Sequence, residues 1–533
     1  MACIQVSVLF LKSNKWQRIT LALIVVEAVI WTFSGLFRHW GYMTSINDLG
    51  SFDQAVWRAA NGYSLINTST FSQPVFWLGF HFQPILYLFV PVYKLFPSVN
   101  WLIVTQSIAL PLAAWPIFRL AEQVTKSAGA AFIWAAAYLC NPFVLNAAAW
   151  DFHLASIAVP FFALALLAVE QKRPLLLLGS CLVVMTCKEH FGLAVAGFGL
   201  LYWIRHKNWL TGLSLFLTGV TAMAVIVGVV MPSLSPVGKQ VMLSSDLGHM
   251  SRYSWLGGSI HEIIITLVCN PLVVLQRVFL DMGGLEYLCF LLLPFLFFPL
   301  AAPCWLLPAA ADLSANLLST IQMPRSIFAY HSVAIIPVLV IAAIHGCNKM
   351  TWFRKRYSLI ELSGLVLLIN LGLGYLFAPF PLPGTANYWQ AVRPFVFYDK
   401  REALVQEIIK KGSISVQANI GAHFSQRTDL YCYPQHVGDV DFIVLRLGSP
   451  TKRLVPLEPG PIGTLAHHLQ MNPMEYLDSV EELLHDEHYS VLLWDSPWLV
   501  LGRNQPSIEM TESISKRIEE LRNKWQKNEG NKI

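Results

Sequence analysis

The run "ITLALIVVEAVIWTFSGLF" (Ile19–Phe37) decides the fold class. Lys12, Lys15 and Arg18 precede it, and bulky residues close it. A cleaved signal peptide has a shorter apolar region, about 7–15 residues, and a small-residue cleavage site. A stretch of about 20 apolar residues matches the hydrocarbon thickness of a bilayer. The run therefore reads as an uncleaved first span, with the N-terminus in the cytoplasm.

Working outward, similar runs cover 101–118, 128–149, 155–170, 174–187, 189–204, 209–231, 285–302, 303–319, 329–347 and 359–379. Composition agrees: 55% of residues are hydrophobic and 13% charged, against about 25% charged in an average soluble protein. Mean hydropathy is +0.51. The expected fold is a polytopic α-helical membrane protein with about 11 transmembrane helices. The net charge of +5 sits in short clusters, Arg119 to Lys126, Lys172–Arg173, Arg205 to Lys207 and Lys349 to Arg356. These mark cytoplasmic loops, provided that "HFQPILYLFVPVYKLFP" (81–97) does not cross and is a juxtamembrane or re-entrant segment. No basic surface interleaved with aromatics occurs, which argues against nucleic acid. The nine cysteines show no CxxC or metal-ligand spacing and read as small apolar residues.

The resulting organisation is a cytoplasmic N-terminus and first span (1–38), an outer loop with juxtamembrane helices (39–100), further spans (101–231), a second outer loop (232–284), C-terminal spans (285–380) and a soluble region (381–533). "PFPLPG" (379–384) forms a stiff linker. Beyond it, "SISVQA" (413–418), "DFIVLRL" (441–447) and the paired segments "YSVLLW" (489–494) and "LVLGR" (499–503) have strand patterns. Helical patterns lie between them, so a small C-terminal α/β extracytoplasmic domain is expected.

Three polar sets stand at the outer ends of spans. In "INDLGSFDQAVWRAANG" (46–62), Ser51 and Gln54 have capping-box spacing, which predicts a helix from Phe52 that ends at Asn61-Gly62. Asp53 then sits in the first turn, favoured by the helix dipole. Asp48 precedes the cap and is free to face a cavity. The second set is Asp151 and His153 in "AAAWDFHLAS" (147–156), the third Lys188, Glu189 and His190 in "MTCKEHFG" (185–192). Ionisable groups near membrane depth are costly and face cavities or one another, so one polar cavity opening outward is expected. His81, Arg252, Tyr253, Arg325, Tyr330 and His331 are further outer-side candidates. An outward-facing Arg325 opposes the positive-inside bias and suits phosphate oxygens.

"DLGSFDQAVW" (48–57), "HFQPILYLFVPVYKLFP" (81–97), "YLCNPF" (138–143), "WDFHLASIAVP" (150–160), "CKEHFGLAVAGFGLLYW" (187–203) and "AYHSVAIIPVLVIAAIHG" (329–346) together resemble the membrane family called domain of unknown function 2079. "SVQANIGAHFSQRTDLYCYP" (415–434) and "DVDFIVL" (439–445) resemble its C-terminal region, so the likeness runs from about residue 40 to 450. That family looks distantly related to the GT-C glycosyltransferases, which take sugars from lipid-phosphate donors. The resemblance implies a GT-C-like layout, a seven-helix module ending near 231, and an inner-membrane location in a prokaryote. Asp48 matches the catalytic aspartate of the first outer loop, Asp151 the acidic residue of the next, and Lys188 a lysine after the following pair of spans. Many members show two adjacent acidic residues where this chain has Asn47-Asp48, so a paired carboxylate or metal site is in question. Mg or Mn held by Asp48 and Asp151 and a metal-independent reaction both remain open.

On this reading Asp48 is the general base, its pKa raised in a partly apolar cavity. Lys188, Arg325 or Arg252 meets the departing phosphate. Asp53, His81, Asp151, His153, Glu189, Tyr330 and His331 line the substrate site. The partners are the lipid bilayer, a polyprenyl-phosphate-linked sugar and a glycan, lipid or protein acceptor. A transporter or lipid-carrier flippase and a non-catalytic envelope-assembly protein are the alternatives. In "AHFSQR" (422–427), His423 and Arg427 read as surface groups rather than as the lining of a groove.

Overall fold

A computed structural model describes residues 15–70, 73–235, 249–380, 399–410, 412–448, 460–506 and 510–530. The part of the linker at 381–384 lies outside them. The described residues are mostly helical. Among them four helices are long and apolar enough to cross a membrane: α1 (Lys15–Trp40), Asn100–Thr125, Trp209–Leu234 and Leu359–Phe377. Two bent pairs raise the number to six, Ala128–Leu139 with Pro142–Ala149 (47°) and His261–Cys269 with Pro271–Asp281 (94°).

Among the described residues four to six helices reach a spanning length, and proline shortens several of the other apolar runs. Proline has no N–H to give a helix and clashes with the preceding turn. Asn141 accepts a bond from the Phe143 amide and Pro142 follows it, so the chain restarts there instead of continuing. Pro294, Pro299, Pro303 and Pro308 divide the expected spans 285–302 and 303–319. What forms is a helix over Gly284–Leu292, three 3-10 turns and a helix over Ala310–Leu318. The segment 232–284, read as a loop, contains the sharply bent apolar pair. Residues Pro84–Phe89 form a 3-10 turn that runs into a short helix, Val90–Leu95.

Burial sorts the helices. Leu154–Glu170 and Ile335–Lys349 are buried nearly all round and form the centre of the bundle, as expected of helices apolar on every face. Helix α1 and the helices at 209–225 and 359–377 leave Val25, Val29, Phe33, Leu217, Leu368 and Leu376 exposed, which suits lipid contact. The helices Phe191–His206 and Trp209–Val225 pack through small residues. A Cβ on Gly199 would meet the Gly212 carbonyl at 2.5 Å, and one on Gly219 would overlap the Gly192 carbonyl. Glycine there lets the two backbones touch.

Towards the C-terminus, five strands form one sheet: β1 (Ile414–Val416), β2 (Leu430–Cys432), β3 (Phe442–Arg446), β4 (Tyr489–Asp495) and β5 (Trp498–Arg503). The order is β2-β1-β3-β5-β4, with β1 parallel to β2 and β3, and β4–β5 an antiparallel hairpin. Alternate side chains serve opposite faces. Ile443, Leu445, Leu499 and Leu501 pack on Tyr476, Leu477, Ile518 and Trp525. Val416, Val444 and Val500 pack on Val405, Ile409, Tyr42 and Ile46. The loop after α1 thus completes the core under the sheet. The Ile46 amide donates to the Ala418 carbonyl at 2.9 Å, and a Cβ on Gly421 would meet Ile46 at 2.6 Å.

Gly199→Val and Gly219→Val are each expected to cost about 1–3 kcal/mol by overpacking. Thermal unfolding of the purified protein in detergent checks this. Gly228→Val should be nearly silent, since nothing lies within 4 Å of its Cβ position.

Candidate functional site

Asp48 does not precede a helix cap. The chain turns helical at Ile46, as a π-turn (Ile46–Gly50) running directly into a helix over Ser51–Ala60. Ser45 is the cap, its side chain accepting the Asn47 amide, while the Ser51 hydroxyl donates back to the Asn47 and Asp48 carbonyls. The capping-box spacing at Ser51 and Gln54 is coincidental: Gln54 is buried and donates to Thr68 Oγ1 at 2.7 Å. The expected end at Asn61-Gly62 is where the helix stops, with Gly62 at φ +85°.

Asp151 fixes this loop. Its Oδ1 accepts from Arg38 Nη2 at 2.6 Å and its Oδ2 from the Ser45 amide at 2.7 Å. Arg38 also donates to the Ala149 and Met43 carbonyls. On the other side, Gln106 accepts the His153 amide at 2.8 Å and donates to the Trp150 carbonyl at 3.0 Å. Two residues unmarked by the sequence reading, Arg38 and Gln106, therefore hold the Asp151–His153 turn. A glutamine inside the apolar run 101–112 was the available signal.

His153 Nδ1 lies 3.0 Å from the Asp151 carbonyl, which can only accept, so that nitrogen carries a hydrogen. Nε2 then faces Asp48 Oδ1 at 3.5 Å. Tyr330 stacks on the other face of the ring, centroids 3.6 Å apart. The Asp48 side chain is 36% exposed and that of His153 12%, so the carboxylate is the reachable member. Burial pushes the Asp48 pKa up, but the adjacent His153 outweighs it and holds the group below the usual carboxylate range. This corrects the expected raised value. Asp151 is pushed up by burial, with Arg38 opposing.

A second group adjoins through Tyr330, whose hydroxyl pKa is raised by burial, by Asp48 and by Glu189, and lowered by Arg252. Glu189 lies 3.5 Å from His81. Burial raises it, yet His81, His190 and Lys188 together bring it down to about 2. His190 lies 2.6 Å from Asp312, a buried acid in an apolar helix that sequence reading passed over.

Two expected members stand elsewhere. Arg325 Nη1 donates to the Asn316 carbonyl at 3.1 Å and to the Ser319 carbonyl, which closes the end of the helix over Ala310–Leu318. Nη1 thus serves the helix end rather than the Asp48 site. Asp53 is fully buried, accepting from Tyr93 at 2.8 Å, Ser425 at 2.6 Å and Gln426 at 3.4 Å. It joins the helix over Ser51–Ala60 to the C-terminal region and leaves the Asp48 site. Among the described residues no three His, Cys, Asp or Glu side chains gather as a metal site. Asp151 is already paired with the Arg38 guanidinium at 2.6 Å, so a cation held between Asp48 and Asp151 would lie beside a like charge.

The space beside Asp48 is small, about 40 Å³, lined by Arg38, Ser45, Asp48, Asp151, Asn419 and His467, among others. A larger cavity of about 650 Å³ lies between the end of α1, residues 97–100 and the 399–427 region. His423 and Arg427, read as surface groups, line that cavity, and Arg427 is buried.

Residues 38–453 match the model of the family described as "Predicted membrane protein (DUF2079)". No curated protein matches the chain. Among solved structures, one titled "Crystal Structure of ArnT from Cupriavidus metallidurans in the apo state" is similar. Identity is 14% and the TM-score 0.44, over 90% of this chain and 97% of that one.

The Asp53 joint predicts a pH dependence. Burial raises its carboxyl from 3.8 to about 6 against the opposing hydrogen bonds. The folded chain therefore keeps this proton where the unfolded chain has lost it. Stability from Asp53 should fall as pH rises from about 4 to 6. Thermal unfolding at pH 4.5 and 6.5 should show a smaller difference in Asp53→Asn than in wild type.

Proposed function

The chain belongs to the DUF2079 family of predicted membrane proteins, and from that premise we propose that it is an integral membrane glycosyltransferase. It moves a sugar from a polyprenyl-phosphate donor to an acceptor hydroxyl on the extracytoplasmic side. The observation that carries this reading is the reachable Asp48 carboxylate, set against a mostly buried imidazole stacked on an aromatic face, with Arg38 lining the same space. The sequence resemblance assigns the same aspartate.

In the proposed step Asp48 takes the proton of the acceptor hydroxyl as its oxygen bonds to the anomeric carbon. The bond from that carbon to the phosphate oxygen breaks, and the phosphate leaves with its electron pair. Arg252 and Lys188 are the cations proposed to meet that charge. His153, held by its Nδ1–H, aims Asp48, while Asp151 and Arg38 position the loop. Asp48 is ionised across the neutral range, which keeps the base loaded at the expense of some basicity.

A transport reading draws on a different cluster. Glu170 Oε2 lies 3.5 Å from both Arg205 and His345, and His345 stacks on Trp305 with centroids 4.2 Å apart. Transport should depend on Glu170; transfer should not.

Purified protein with polyprenyl-phosphate sugars and candidate acceptors tests the choice. Wild type is expected to release lipid phosphate, and Asp48→Asn to slow turnover by about 10²–10⁴-fold, the usual worth of a general base, with little change in donor binding. Absence of release by wild type across donors, with export lost in Glu170→Gln, would replace the transfer reading by the transport one.

A further inference from the structure

The 650 Å³ cavity shares no lining residue with the Asp48 space, and its size is within the roughly 300–1,000 Å³ of small-molecule sites. Its wall mixes hydrogen-bond acceptors and donors that are fixed in place yet only partly used. Glu402 accepts one bond on each oxygen, from Tyr42 at 2.7 Å and from His423 at 3.0 Å. Each carboxylate oxygen can accept two, so both retain an acceptor site. Asp53 accepts from Tyr93 and Gln426 on Oδ1 and from Ser425 on Oδ2, so only its Oδ2 retains an acceptor site.

The donors are likewise anchored. Arg427 spends its Nε–H on the Phe424 carbonyl at 2.9 Å and one Nη1–H on the Gly412 carbonyl at 2.8 Å. A guanidinium has five N–H groups, and among the described residues no carboxylate pairs with it. Gln406 gives one amide hydrogen to the His423 carbonyl at 2.8 Å, leaving its second. Parallel His39 and His423 rings, 4.1 Å apart, and Tyr42, 4.7 Å from His423, stiffen the wall.

This combination selects a ligand class. Sulfate only accepts hydrogen bonds, and Asp53, Glu402 and Asp399 around the cavity would repel an anion of that kind. An ammonium only donates and would face Arg427. A hydroxyl both donates and accepts, so a hydroxyl-rich neutral molecule can satisfy acceptors and donors together. We propose that this cavity is a second, non-catalytic binding site for a short neutral saccharide, built between the end of α1 and the C-terminal region. It holds sugar whether or not Asp48 catalyses transfer.

The test uses the full chain in a detergent without a sugar headgroup, because a maltoside would itself occupy the site. Maltotriose and chitotriose are titrated by intrinsic tryptophan fluorescence and by calorimetry, with sulfate and methylammonium as acceptor-only and donor-only probes. Saturable binding of at least one trisaccharide is expected, and of neither control. Ala403→Trp, at an exposed helix position on the cavity wall, should weaken it at least about tenfold. Gln426→Ala, which removes a donor without adding bulk, should weaken it about two- to tenfold, the worth of one hydrogen bond. Asp48→Asn should leave it unchanged, which separates this site from the catalytic reading. No binding of either trisaccharide, tighter binding of sulfate or methylammonium, or binding insensitive to both cavity variants would overturn the proposal. So would binding abolished by Asp48→Asn.

Discussion

The geometry of the Asp48 site depends on one carboxylate that does not face the cavity as a free group. Asp151 joins the last turn of the first helix, through Arg38, to the first cap of the following loop, through the Ser45 amide. Charge-assisted bonds of this kind are short and directional, and both partners are mostly hidden from water. Breaking such a pair leaves an unpaired buried charge, at a cost of about 3–5 kcal/mol. Once Ser45 is fixed, the helical turn from Ile46 presents Asp48 to His153, and Gln106 holds His153 from the opposite side. The acid that resembles a second catalytic residue is thus placed as the anchor of the first.

The other constraint comes from the C-terminal sheet. Ile46 is two residues from Asp48 and is wholly buried under β1 and β3. The loop therefore cannot shift towards the bundle or away from it without opening a core. Asp53 adds a second fastening one turn further on. A carboxylate meant for chemistry has to stay within a few tenths of an ångström of its partner, and two rigid bodies clamp the short segment that carries it.

Sequence reading located the polar sets because ionisable residues are rare in apolar runs, and Asp48, His153, Tyr330, Glu189 and His81 do gather. It failed where identity and role part company. Ser51 and Gln54 have the spacing of a cap, but Ile46 finds a buried seat that starts the helix six residues earlier. Asp53 and Arg325 are the same residue types as the site groups, yet their partners, Tyr93, Ser425 and the carbonyls of 316 and 319, are set by tertiary contacts that periodicity does not encode. Arg38 carried no signal of its own. Hydropathy registers composition, whereas Pro142, Pro294, Pro299, Pro303 and Pro308 decide whether an apolar run stays a single helix.

The seat of Ile46 also sets an order of events during synthesis. The chain emerges from its N-terminus, so the segment that bears Asp48 is made early, while Ala418, Gly421 and the strands that enclose Ile46 arrive hundreds of residues later. Until then the Ile46 amide lacks its acceptor and its side chain lacks most of its final neighbours, and the cost of closing so long a loop is met only at the end. The first loop to be made is among the last to mature, and Asp48 is held in its final place only when the far end of the chain has folded.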